Sequence, residues 1–248
     1  MAFNDHFSTI SRVYADFRPT YPAALAEFLA GIAPGRALAW DCGTGQGQAA
    51  RLLAPWFERV VATDASPQQI AQATPIDRVT FAVAPAQASG LPDGSCDLVT
   101  VAQAVHWFDR PAFYAEARRV LRPGGVLAVW CYFHAETGVP AIDRCVHAFQ
   151  FDRVGRYWPP GRELVDARYE TLDFPFTRIE TPAFHVAARW TRDQLVGYVS
   201  SWSAVARCRA AEGADPLPAF VSDLSVGWPD ASSVHEVRWP MYLLVGRV

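Results

Sequence analysis

The tightest constraint on the fold lies between residues 37 and 132. There, short apolar runs alternate with helix-forming runs in a single unbroken series. ALAWDC (37–42) runs straight into a glycine-rich turn, and ERVVATD (58–64), VTFAVA (79–84), CDLVTVA (96–102) and VLAVWCY (126–132) read as four further buried strands. Helices are predicted from Gln48 to Ala54, after Ser66 with Pro67 at the first helical position, and over 110–121, where an amphipathic run ends at Arg122-Pro123-Gly124-Gly125. Apolar strands joined by helices at this spacing predict a parallel sheet covered on both faces. A further helix is predicted over 23–31, entered after Pro22 and stopped by Gly31.

The second half is less regular. It predicts a helix over 139–150, then the aromatic and Arg-rich segment FDRVGRYWPPGR, and a strand near 178–189. A helix follows from Thr191, whose pairing with Gln194 has the form of a capping box, then another near 216–225 and a final strand in RWPMYLLVGRV. With 248 residues, 51% of them hydrophobic, the chain can bury a core of its own without disulfides or a structural metal. The five cysteines have neither zinc-finger nor redox spacing and read as reduced thiols, so a cytoplasmic location is expected. No apolar run is long enough to span a bilayer, and the charged N-terminus lacks the apolar stretch of a signal peptide. A net charge of −3 gives no general attraction to nucleic acid or anionic membrane. All 22 basic residues are arginine, which excludes a Schiff-base or Walker-type lysine.

The strongest local signal is Asp41-Cys42-Gly43-Thr44-Gly45-Gln46-Gly47 at the end of the first strand. Glycines there allow a sharp turn into a helix and a close approach of backbone to ligand. The spacing is GxGxG with an acid just before it, unlike the GxGxxG of dinucleotide sites. Asp64 ends the second strand, where a carboxylate can accept two hydrogen bonds from a ribose diol. A tight turn without a ligand would use the same glycines.

Together with SGLPDGSCDLVTVAQAVHWFD and RRVLRPGGVLAVW, these motifs make the chain resemble the class I S-adenosylmethionine-dependent methyltransferases. The likeness is nearer to the small-molecule branch (methyltransferase type 11) typified by trans-aconitate methyltransferase, with its HWFD element and a YxxxRPxYP element, here Tyr14, Arg18, Pro19, Tyr21 and Pro22. It covers most of residues 7–132 and, more loosely, the last strand. It implies a Rossmann-like α/β fold with a mostly parallel seven-stranded sheet, an antiparallel last strand and helices on both faces. The whole chain, 1–248, is then one domain: a flap and helix over 1–36, a cofactor-binding core over 37–132, a substrate-side insert over 133–190, and C-terminal helices with the last strand over 191–248.

The cofactor implied is S-adenosylmethionine, with S-adenosylhomocysteine as product and no metal. By resemblance, Gly43, Thr44, Gly45 and Gly47 pass beneath its methionine and ribose, and Asp41 orients that turn or reaches the methionine amino group. Asp64 and Ala65 lie at the ribose. Ala86 and Gln87 lie at the adenine, and Gln103 and Ala104 line the methionine and sulfonium. Relatives commonly carry an acid at the position of Gln87, whose amide oxygen can still accept from the exocyclic amine.

The methyl group is already activated by the positive sulfur, so the protein must mainly align a nucleophile in a dry cavity. A carboxylate acceptor needs no base. For a hydroxyl or amine the candidate base is His106, which reads equally as a hydrogen-bonded packing residue. Arg18 and Tyr14 are candidates to grip a carboxylate, since arginine donates two parallel hydrogen bonds; a surface arginine beside a half-buried tyrosine is the plainer alternative. Tyr21, Trp107, Trp130, Tyr132 and Trp158 are candidate walls of an acceptor pocket, although aromatic core packing would account for any one of them. The partner expected is a small-molecule methyl acceptor with an oxygen nucleophile, with neither nucleic acid nor membrane; no motif bears on oligomeric state. An RNA or protein methyltransferase and a noncatalytic cofactor-binding protein are the alternatives. Against the first, the NPPY or DPPY element of adenine-amino enzymes, a Pro-Cys thiolate and a basic stripe are all absent, and acids dilute the cluster Arg153, Arg156, Arg162 and Arg168.

Overall fold

The computed structural model describes residues 20–248. The expected alternation is present. Helix α1 (Ala23–Ile32) precedes β1 (Leu38–Cys42), α2 (Gln48–Leu53), β2 (Arg59–Asp64), α3 (Pro67–Ala71), β3 (Val79–Val83), β4 (Cys96–Ala102), α4 (Arg110–Val120) and β5 (Leu121–Tyr132). Then come α5 (Pro140–Ala148), α6 (Arg162–Asp166), β6 (Thr177–Ile179), β7 (His185–Thr191), α7 (Arg192–Ser200), α8 (Ser203–Glu212), α9 (Leu217–Gly227) and β8 (Val234–Arg247). The strand order is β3-β2-β1-β4-β5-β8-β6, with β1 to β5 parallel and β8 antiparallel to β5. The order reverses between β1 and β4, and the crevice beyond the carboxyl ends of such strands is where open α/β sheets bind ligands.

Burial on both faces explains why the strands read as unbroken apolar runs. Ala39, Leu98, Val126, Ala128 and Trp130 point into a core with α1, α2, α5, α7, α8 and α9. Leu38, Trp40, Val99, Val101, Leu127 and Val129 point the other way, against Phe113, Ala117 and Val120 of α4. Local signals hold as well. Ser66 and Asp109 cap their helices through backbone N–H groups, and both halves of the Thr191–Gln194 capping box are formed. All five cysteines are unpaired thiols.

Three features correct the sequence reading. The sheet has eight strands rather than seven. The single strand expected near 178–189 is two, β6 and β7, because β8 serves two ladders along its 14 residues. Its second half, 241–247, pairs with β5 and at its end with β6, whereas 234–240 pairs with β7. The segment taken as an insert therefore gives two strands to the sheet. Finally, α8 was not foreseen: its buried face is only Ala204, Val205 and Cys208, and Trp202 starts it without a side-chain cap.

Asp97 ties the sheet to its entry loop. It is fully buried, its Oδ2 accepts from the backbone N–H groups of Ala37 (2.8 Å) and Leu38 (3.0 Å), and its Oδ1 lies 3.1 Å from the Arg122 guanidinium. Removing it strands two backbone donors at the start of β1 and leaves Arg122, near the start of β5, without its acid. Asp97→Ala is expected to cost about 3 kcal/mol in urea denaturation; a loss under about 1 kcal/mol would show that the buried carboxylate is dispensable.

Candidate active site

The glycine turn is built around one carboxylate. Asp41, fully buried near the end of β1, accepts from Thr44 Oγ1 (2.5 Å) and from Thr100 Oγ1 on β4 (2.8 Å). Burial lifts its carboxyl to about 6, against hydrogen bonds from Thr44, Thr100 and the Ala50 N–H in the first turn of α2. Those three donors tie it to the turn, to β4 and to the start of α2. Thr100 stands opposite Asp41 in the β1–β4 register. A threonine inside the apolar run CDLVTVA was the signal for it, and it was passed over.

The backbone of the turn is pinned to β2. Gly43 and Thr44 N–H donate to the Thr63 carbonyl, and Gly45 N–H donates to Asp64 Oδ2 (2.9 Å). Asp64 Oδ1 accepts from Ser66 N–H (2.9 Å), beyond the half-buried Ala65. A carboxylate oxygen can accept more than one hydrogen bond. Gly43 has φ +70°, and a Cβ there would sit 2.7 Å from Ala104 Cβ and 3.0 Å from Phe108 Cζ. Only glycine lets the β1 turn and the segment after β4 touch. At Gly45, among the described residues, a Cβ would meet nothing nearer than Gln69 Oε1 at 3.8 Å. Gly47, at φ +91°, caps α2 against Phe81 of β3.

Beyond β4, Gln103 is held at φ +57°, an uncommon conformation for a side-chain-bearing residue, and its amide donates to the Tyr132 carbonyl (3.3 Å). Ala104 rests on the glycine turn, as above. His106 follows in a short 3₁₀ turn (Val105–Trp107), half-buried, its ring 4.7 Å from that of Trp107. His106 Nδ1 lies 2.9 Å from the hydroxyl of the fully buried Tyr169, and Gly161 closes over the His106 carbonyl, where a Cβ would come within 2.8 Å. Burial, and secondarily the Arg162 guanidinium, push the imidazole down to about 3. No sequence pattern marked Tyr169 or Gly161.

The aromatic candidates fall into two groups. Tyr21, Trp130 and Tyr132 form one buried cluster, with Tyr21 edge-on to Trp130 at 5.5 Å. Trp158 belongs to another: it packs on Trp202, carries the Arg162 guanidinium 4.3 Å above its ring, and lines an open cavity of about 320 Å³ with Phe151, Pro159, Pro160 and Arg162. The basic cluster is partly offset: Arg153 and Arg156 share Glu212 and Arg162 pairs with Asp166, while Arg168 lies over Phe133 and Tyr242. Tyr14 and Arg18 lie outside the described residues. Among the described residues, no group of three or more His, Cys, Asp or Glu could hold a metal, and no helix is long and apolar enough to cross a membrane.

Similarity to known proteins agrees with this arrangement. Residues 40–129 match a family model described as a methyltransferase domain. A protein of Dictyostelium discoideum assigned to the methyltransferases is 33% identical over 251 residues, covering 99% of this chain and 95% of its own. The chain belongs to the methyltransferase family. An uncharacterized methyltransferase of Mycobacterium tuberculosis is 35% identical over 200 residues, 79% of this chain and 76% of the other. A solved structure from Anaeromyxobacter dehalogenans, assigned as a type II methyltransferase, superposes with a TM-score of 0.88 at 44% identity, covering 93% of this chain and 98% of that one. Fold and sequence together make this an S-adenosylmethionine-dependent methyltransferase.

The loop after β3 carries Ala86, half-buried, and Gln87, exposed. Glu116 of α4 fastens that loop, accepting from Ser89 N–H (2.8 Å) and Ser89 Oγ (2.6 Å) and pairing with Arg119. The Arg119 and Ser89 hydrogen bonds hold its carboxyl down at about 2. A carboxylate depressed in the folded state contributes its stability above the unfolded value and loses it as pH falls through the folded one. Glu116→Gln is therefore expected to cost about 2 kcal/mol at pH 7, after allowance for solvent around Arg119. The gap to wild type should close between about pH 4.5 and 2 in chemical denaturation; a gap constant across that range would remove the ionised pair as its cause.

Proposed function

We propose that the chain transfers the methyl group of S-adenosylmethionine to an oxygen nucleophile of a small molecule. The single observation that carries the cofactor assignment is the glycine turn itself, held by Asp41 through Thr44 on one side and by Asp64 through the Gly45 N–H on the other. In this reading Gly43, Thr44, Gly45 and Gly47 lie under the methionine and ribose, and Asp64 with Ala65 takes the ribose hydroxyls. Ala86 and Gln87 face the adenine, and Gln103 and Ala104 face the methionine. The bound cofactor supplies a methyl group on a positively charged sulfur. The chain's own residues orient the acceptor and keep water away.

The acceptor side is assigned to the cavity walled by Trp158, Phe151 and Arg162, which adjoins His106 through Gly161. A pocket of this size suits a small molecule. An RNA substrate is disfavoured because Arg153 and Arg156 are held by the shared Glu212 and Arg162 by Asp166. The likeness to the trans-aconitate methyltransferase branch points the same way, towards a carboxylate or hydroxyl, with Arg18 and Tyr14 as further contacts. A cytoplasmic location fits the five free thiols.

Calorimetric titration with S-adenosylmethionine and with NAD tests the cofactor assignment. Wild type is expected to bind the former, and Asp64→Ala to bind it at least tenfold more weakly. Binding of NAD alone, or undiminished affinity in the variant, would overturn the assignment.

A further inference from the structure

Tyr169 is the residue near the site that neither motif nor family pattern marks. It sits in the turn after α6, in the second of two successive left-handed positions (Arg168 φ +55°, Tyr169 φ +59°), with its N–H bonded to the Leu164 carbonyl and its ring in the core beside α4. Side-chain-bearing residues rarely take this conformation, and two in a row are kept only where the surroundings impose them. The outcome is a fully buried phenol aimed at His106 Nδ1.

The proton on that hydrogen bond can be assigned by satisfaction. Among the described residues the Tyr169 hydroxyl has one hydrogen-bond partner, His106 Nδ1, and Nδ1 has no other. If Nδ1 carried the hydrogen, the buried phenol would accept it and leave its own O–H unpaired, at a cost of about 1–3 kcal/mol. If the phenol donates, both atoms are satisfied. A neutral imidazole that accepts at Nδ1 carries its hydrogen on Nε2. The low proton affinity of the buried imidazole and the high one of the buried phenol keep both groups neutral across the physiological range.

We propose that Tyr169 is a positioning residue that locks His106 as an Nε2–H hydrogen-bond donor, so that His106 orients the acceptor oxygen and does not deprotonate it. His106 stands where such a donor is useful. The segment 104–108 rests on the glycine turn, the cavity with Trp158 and Arg162 lies across Gly161, and Nε2 makes no hydrogen bond among the described residues. With its hydrogen on Nε2, the imidazole can take a second proton only at Nδ1, where the Tyr169 hydroxyl already donates, and would then be a cation beside Arg162. The class of acceptor narrows accordingly to an oxygen that arrives ionised, a carboxylate or an acidic phenol. Its lone pair forms the new O–CH₃ bond, the C–S pair returns to sulfur, and no proton has to leave. The proposal rests on the methyltransferase reading for the role of His106, but the tautomer itself does not depend on that reading.

The test is NMR of the ligand-free full chain carrying ¹³C,¹⁵N-histidine, with the His106 signals assigned by their loss in His106→Gln. Wild type is expected to show one neutral tautomer, with hydrogen on Nε2 and a hydrogen-bonded bare Nδ1, unchanged from pH 8 to pH 5. In Tyr169→Phe the Nδ1 signal should move and the two tautomers should mix. Hydrogen on Nδ1 in wild type, or protonation of His106 above pH 5, would overturn the proposal, and either is read on wild type even if Tyr169→Phe does not fold. Because the spectra need no cofactor, a wrong tautomer leaves the calorimetric test of cofactor binding untouched, and a failed titration leaves the tautomer assignment standing.

Discussion

The buried carboxylate of Asp41 is the contact on which the rest of the site depends. A carboxylate with no solvent contact is stable only when its lone pairs are occupied, and here three elements occupy them: the glycine turn through Thr44, β4 through Thr100, and the start of α2 through Ala50. One side chain thereby fixes the distance between the two strands at the switch point and the path of the turn between them. Asp64 performs the complementary task from β2, holding Gly45 on one oxygen and Ser66 on the other. The two acids grip the turn from either side.

From that fixed turn the geometry propagates outward by contact. The absence of a side chain at Gly43 lets Ala104 and Phe108 close on it, which sets the 3₁₀ turn carrying His106. Gly161 then closes on the His106 carbonyl, bringing the segment with Trp158 and Arg162 alongside. The pocket is thus walled by residues 151–166 of the second half and held beside His106 of the first. β8 reinforces this arrangement, because one long strand closes both the edge of the main sheet and the ladder with β7. On the opposite flank, Glu116 holds the loop of Ala86 and Gln87 by its bond to Ser89.

How much of this could be read from the chain follows from where the determinants lie. β1 to β4, their helices and the caps at Ser66 and Thr191 are set by local pattern, so they were legible within a residue or two, whereas β5 begins at Leu121 and takes in the Arg122-Pro123-Gly124-Gly125 run that read as a turn. The glycine turn and Asp64 were legible because their chemistry is written within a few residues of a strand end. The partition of 178–189 into β6 and β7 was not, because it is imposed by β8, about 50 residues downstream, through a pairing that no local pattern encodes. α8 was missed because its buried side is made of small residues. Tyr169 lies 63 positions from His106, and nothing in its own neighbourhood announces that its hydroxyl ends there. The pocket aromatics illustrate the same limit: composition named Trp130 and Trp158 alike, but only packing buried the first and put the second on the cavity wall.

The most direct measurement of the central claim is a crystal structure with S-adenosylhomocysteine soaked or co-crystallised. The account places the ribose hydroxyls on Asp64 and the amino-acid portion over Gly43–Gly45, with Asp41 still bound to Thr44 and Thr100. Density for the ligand away from β1 and β2, or an Asp41 that leaves Thr44 to contact the ligand directly, would contradict it.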